Sequence, residues 1–97
     1  MTTLWIFRYL RIDEDEKRAY LLGYDMCLTP TEFNILCAVA FEGGLGIDVI
    51  IGKCGLSDNV RGNVSVHVCG INRKAEKIGK RKLILYKDSK YYINEFM

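Results

Sequence analysis

NVRGNVSVHVCGINRKAEKI, residues 59–78, sets apolar side chains at Val64, Val68, Ile71, Ala75 and Ile78. That i, i+4, i+7 spacing predicts a helix over about residues 60–78 that buries one face. The opposite face carries Gly62, Val66, Cys69, Arg73 and Lys77, with Ser65 and Asn72 at its edge. It is small in its first half and basic in its second. Such a face suits a helix that enters a DNA groove, with close approach first and phosphate contacts later. A helix lying on a core with a solvated back has the same pattern. The stretch therefore fixes the helix and leaves its task open.

Upstream, Asp48 suits the cap of a short helix over Val49–Cys54, ended by Gly55, and Leu56–Asp58 links it to the long helix. The Gly43–Gly46 cluster lacks a following Gly-Lys-Ser/Thr and reads as a turn, not a phosphate-binding loop. Before it, Thr29-Pro30-Thr31-Glu32 announces another helix. Thr29 suits the N-cap, Pro30 the first helical position, and Glu32 the return half of a capping box. Phe33, Leu36, Cys37 and Ala40 then repeat at helical spacing. The first third reads as strands: Leu4–Leu10, a solvated turn at Asp13–Arg18, Ala19–Leu22, a turn at Gly23–Asp25, and Met26–Leu28. Downstream, Gly79 ends the long helix and Lys80-Arg81-Lys82 leads into a hairpin. Its strands are Leu83–Tyr86 and Tyr91–Ile93, around an exposed tip, Lys87–Lys90. The fold class expected is α+β, a single domain. Residues 1–28 form an antiparallel sheet, 29–78 a three-helix core, and 79–97 a hairpin and tail. A helix-turn-helix followed by a hairpin is a winged helix-turn-helix.

Ninety-seven residues hold one modest core. A hydrophobic share of 49% with 27% charged residues is that of an ordinary globular chain. No run is apolar enough to cross a bilayer and the N-terminus lacks a secretory pattern, so no membrane partner and a cytoplasmic location are expected. Cys27, Cys37, Cys54 and Cys69 form no C-x-x-C pair, and His67 is the single histidine, which leaves a zinc site without its usual ligand pairs. Cys37 falls among apolar helix residues as a small hydrophobe. No catalytic constellation or cofactor motif is present, so neither an enzyme nor a cofactor is expected. Charge is uneven. Residues 1–48 hold four Lys/Arg against eight Asp/Glu, and residues 49–97 hold ten against four. A basic half beside an acidic one suits one surface facing a polyanion.

At this point the chain resembles the OmpR/PhoB-type winged-helix effector domain of bacterial response regulators, the output modules of two-component phosphorelay signalling. Leu28-Thr29-x-x-Glu32-Phe33-x-x-Leu36 matches the family's LT..EF.lL, and Val64-Ser65-Val66-His67-Val68 its VDVHI. Ile71-Asn72-Arg73-Lys74 stands where the family has LRKK, and Lys87–Ile93 where it has RGxGYxL. The resemblance implies a four-stranded N-terminal sheet, a recognition helix in the major groove, and a wing over residues 83–93 at the minor groove. It also implies double-stranded DNA as partner, transcription regulation, and domains paired on directly repeated half-sites. The loop around Gly55–Arg61 is where such domains touch RNA polymerase. The chain departs from the pattern at Gly62 and Gly70, at Ser65 and Asn72, and in the wing, where Asp88 and Lys90 replace glycines and Lys87 an arginine. Glycines inside a helix cost about 1 kcal/mol each against alanine.

The candidate DNA-binding residues follow. Arg73, Lys74 and Lys77 suit phosphates along the groove edge, or a solvated helix end favoured by the macrodipole. Arg61 suits a phosphate or a base edge, Asn63 and Ser65 base edges, and Val66 with Cys69 a thymine methyl. Lys87 and Lys90 suit the negative potential of a minor groove. His67 reads as a partly buried packing residue, and of Tyr91 and Tyr92 one covers the core. The alternative function is a winged-helix interaction module, for dimerisation or polymerase contact, that has lost specific DNA reading; Val66 and Cys69 would be its apolar patch.

Overall fold

A computed structural model describes residues 3–6, 9–42, 44–54 and 61–94. In chain order these form β1 (Thr3–Ile6), β2 (Leu10–Asp13), β3 (Arg18–Leu21), β4 (Tyr24–Asp25), α1 (Pro30–Glu42), α2 (Ile47–Cys54), α3 (Arg61–Gly79), β5 (Ile84–Lys87) and β6 (Lys90–Ile93). Strands β1 to β4 make an antiparallel sheet in sequential order, and β5 with β6 a separate hairpin. The architecture is the α+β winged helix expected.

The N-terminal strands differ in register from the sequence expectation. The run Leu4–Leu10 divides, since β1 ends at Ile6, which pairs with Leu10 at the start of β2. Aromatic and branched residues favour strand backbone but do not mark where one strand ends. The β3–β4 reversal falls at Leu22-Gly23, both at positive φ (52° and 85°), which brings Tyr24 opposite Leu21. Tyr24–Asp25 is therefore a strand where a turn was expected. Met26–Leu28 is not a strand, although the Met26 N–H still donates to Ala19 O at 2.9 Å. Cys27 ends the ladder at φ 55°, its N–H donating to the Asp25 carboxylate at 2.8 Å.

The capping box at the start of α1 forms as read. Thr29 Oγ1 accepts the Glu32 N–H at 3.2 Å, and Glu32 Oε1 accepts the Thr29 N–H at 3.0 Å. Phe33, Ile35, Leu36 and Val39 are buried, so α1 is enclosed on more than the one face expected. It packs against α2, α3 and β6. Cys37 lies half-buried against the core. Helix α2 begins at Ile47, ahead of the expected start, because Gly46 O accepts the first helical N–H, from Ile50, at 3.1 Å. Asp48 stands in the first turn instead, where a carboxylate complements the helix dipole. In α3, Val64, Val68, Ile71 and Ala75 are buried and Ile78 packs at their margin, as the periodicity requires.

The hairpin is joined to the helices twice. Leu45, between α1 and α2, exchanges backbone hydrogen bonds with Tyr91 at 3.0 and 2.7 Å, adding a third short rung beside β6. The two residues of its tip, Asp88 and Ser89, both have positive φ (53° and 64°), the conformation of a tight type I′ hairpin turn. Lys87 and Lys90 are thereby paired across the end of the ladder.

Glu32 is the one buried charged residue among those described. Besides Thr29, its Oε1 accepts from Lys74 Nζ at 2.6 Å, and Lys74 Nζ also donates to Cys27 O at 3.0 Å. The other carboxylate oxygen fills the space where a Cβ on Gly70 would stand. Gly70 thus leaves room on α3 for the Glu32 carboxylate from the first turn of α1. Its cost to the helix is offset by what it admits. Replacing Gly70 with alanine should destabilise the fold by about 1–3 kcal/mol, since the overpacked carboxylate is held by two donors. At Gly52, where a Cβ meets nothing within 4 Å, alanine should stabilise by up to about 1 kcal/mol. Denaturant titration of the two variants checks the opposite signs.

Burial alone would raise the Glu32 carboxyl, but hydrogen bonds from Lys74 and the Thr29 N–H outweigh it and hold the group below its ordinary 4.5. A depressed carboxyl stabilises the fold fully above its unfolded value and loses that contribution as pH falls through the folded one. Glu32→Gln should therefore melt below the wild type at neutral pH. The gap between the two melting temperatures should close as pH drops below about 4.5.

Candidate nucleic-acid interface

The exposed ridge of α3 runs through Val66, Cys69, Arg73 and Lys77. Val66 is 64% exposed, and neither the N-terminal sheet nor the hairpin covers the ridge. On one side lies a concavity bordered by Glu32, His67, Gly70 and Arg73; His67 is half-buried there, as expected. On the other, α3 and β5 enclose an open groove of about 770 Å³, lined by Ser65, Cys69 and Asn72 from the helix and by Lys82, Tyr86 and Lys87 beyond it. Ser65 and Cys69 border both. Arg73 and Lys87 therefore flank the same stretch of helix from its two sides.

The groove is held open by polar contacts. Asn72 Nδ2 donates to Ile84 O at 2.9 Å while its Oδ1 accepts the Ile84 N–H at 2.8 Å, so one side chain satisfies both backbone groups at the start of β5. Ser65 Oγ lies 3.2 Å from the Tyr91 hydroxyl, and the Tyr91 ring is tilted against Tyr86 at a centroid distance of 4.8 Å. Tyr91 is the buried member of its pair and Tyr92 is half-exposed.

Arg73, Lys77, Lys82, Lys87 and Lys90 are exposed and have no ion pair or side-chain hydrogen bond among the described residues. Lys74 does not join them, because its ammonium is committed to Glu32 and Cys27 O. Ser65 keeps its exposure but shares its hydroxyl with Tyr91. The side chains of Arg61 and Asn63, like residues 55–60 of the expected polymerase-contacting loop, lie outside the described residues. Sequence reasoning did not single out Lys82, Tyr86 or the clamping role of Asn72. The Lys80-Arg81-Lys82 run was a signal for the first. Nothing local marks the other two, since both depend on where β5 docks. No described helix is long and apolar enough to cross a membrane.

No family model matches the chain, and no curated protein does. Solved structures do. The DNA-binding domain of the response regulator AdeR, in complex with an intercistronic region, superposes with a TM-score of 0.80 at 21% identity, over 96% of this chain and 98% of that one. A member of a family of streptococcal redox sensors evolved from two-component response regulators gives 0.80 at 19% identity, over 98% of this chain. This chain spans 43% of that protein's length. The fold is thus that of response-regulator DNA-binding domains, as the motifs implied.

Asn72 sets the spacing between helix and hairpin. Asn72→Ala leaves the Ile84 N–H and C=O without partners in a part-buried position, and should cost roughly 1–3 kcal/mol. Chemical denaturation monitored by circular dichroism gives the loss. Faster amide exchange at Ile84 than in the rest of the hairpin would place it.

Proposed function

We propose that this domain binds double-stranded DNA as the output module of a response-regulator-type transcription factor, with α3 in the major groove and the β5–β6 wing at the minor groove. The observation that carries the proposal is the arrangement of cations that have no partner among the described residues: Arg73 on the exposed face of α3, Lys82 and Lys87 across the groove beside it, Lys77 further along α3 and Lys90 at the hairpin tip. Phosphate contacts fix register and orientation, and base edges met by Val66 and Cys69 supply selection, chiefly through thymine methyls. The AdeR domain, of the same fold and nearly the same extent, is found on DNA. Two copies on directly repeated half-sites, with RNA polymerase as a further partner, complete this function.

Cations facing one another at the wing tip add support. Like charges directly opposite on a hairpin are destabilising, and Lys87 and Lys90 are paired in this way with no acidic partner among the described residues. An anion between or beside them relieves that repulsion.

The second function is an interaction module, favoured by the exposure of Val66, Leu85 and Tyr86 near the same groove. Selection from random duplexes separates the two. An enriched motif supports the regulator; no enrichment, together with a stable complex of two copies in solution, supports the module. For the regulator, Arg73→Ala should weaken binding roughly five- to tenfold on every duplex and lower the slope of log K against log salt by about 0.9. Fluorescence anisotropy across a salt series reads both, and an unchanged slope counts against a phosphate contact at Arg73.

A further inference from the structure

Resting on the DNA-binding function above, we propose that Glu32 is a positioning residue that withholds Lys74 from DNA and so limits how tightly the domain holds any duplex. His67, Gly70 and Lys74 follow one another at three- and four-residue steps along one flank of α3. The concavity on that flank is bordered by Arg73 on the ridge side and by Glu32 on the α1 side. Lys74 therefore stands one turn beyond Gly70, at the edge of the face that carries the free cations. Its ammonium is directed instead to the head of α1, 2.6 Å from Glu32 Oε1 and 3.0 Å from Cys27 O. Two of its three donors are engaged there.

The pair is asymmetric. The Glu32 side chain is 9% exposed and that of Lys74 32%, so the lysine has a path to water or a phosphate and the carboxylate has none. Departure of the lysine would strand a buried carboxylate, which costs more than one contact at a surface phosphate returns. Salt screens such a part-buried pair far less than it screens charges on the ridge. The ammonium thus stays with Glu32 across the ionic strengths at which duplexes bind. Its charge is cancelled, where Arg73 and Lys77 keep theirs, and it displaces no counterion from DNA. A neutral side chain at position 32 would leave that charge uncancelled beside Arg73, whether or not the flexible lysine stem swings across the concavity.

The test uses the whole chain, at a temperature where every variant is folded by circular dichroism, with mixed-sequence DNA at low salt and any duplex enriched by random-sequence selection. Glu32→Gln should tighten binding roughly three- to tenfold on every duplex and steepen the slope of log K against log salt by up to about 0.9. Replacing a side chain that only supports the fold gives weaker or equal binding, never tighter. Adding Lys74→Met to Glu32→Gln exchanges the ion pair for a neutral one and should return affinity and slope to wild-type values. Glu16→Gln, which removes an equal charge from the exposed β2–β3 turn, should produce only a small general effect. Where Glu32→Gln does not fold, heteronuclear NMR of the wild-type lysine ammoniums decides, and the Lys74 signal should keep its position at saturating duplex. Binding by Glu32→Gln no tighter than wild type, a double variant as tight as the single one, or a Lys74 ammonium that shifts with DNA would overturn the withholding and leave the DNA-binding function standing. No duplex binding by the wild type would overturn both.

Discussion

The surface of this domain depends on a side chain that imitates a β-strand. Asn72, near the middle of α3, offers a donor and an acceptor at the spacing of a backbone amide pair, and Ile84 takes both. The start of β5 thereby acquires a hydrogen-bonded neighbour without a neighbouring strand. Its position along α3 is set to within one residue, because a slip would turn Ile84 outward. The placement of Lys82, Tyr86 and Lys87 relative to α3 depends on that bracket. The Leu45–Tyr91 rung fixes the hairpin from its other side.

Glu32 performs a comparable service at the opposite flank of α3. It completes the cap of α1, holds Lys74, and occupies the hollow that Gly70 leaves. Three departures or features that look unrelated in the sequence become one contact. Gly70 is the concession α3 makes so that a carboxylate can be buried with its partners. Lys74 neutralises that carboxylate at the cost of its own availability. The long helix is thus pinned on both sides, and the ridge between the two attachments is left to solvent.

Most of this fold was legible because its signals are local. The apolar period of α3 and the Thr29–Glu32 capping box each state their structure within one or two helical turns. The four motifs also identified the architecture, although no long stretch of identity supports it. What escaped is relational. Strand ends in the N-terminal sheet hinged on Leu22 taking positive φ beside Gly23, which its side chain does not advertise. Lys74 reads like Arg73 and Lys77 in the sequence, and only the approach of α1 separates them. Tyr86 reads as a strand residue until the groove beneath it exists. Composition located the cations; packing decided which of them are free.

The paired lysines at the hairpin end give dissolved ions two contrary effects on one protein. Across the ladder, Lys87 and Lys90 stand about 5 Å apart at their Cβ atoms. Their turn is built from Asp88 and Ser89 rather than glycine. Screening eases the strain between them, so the unliganded wing is best ordered at high ionic strength, the condition in which a polyanion is held least well. In dilute buffer the repulsion at the tip is at its greatest, and an anion placed beside it would relieve the most.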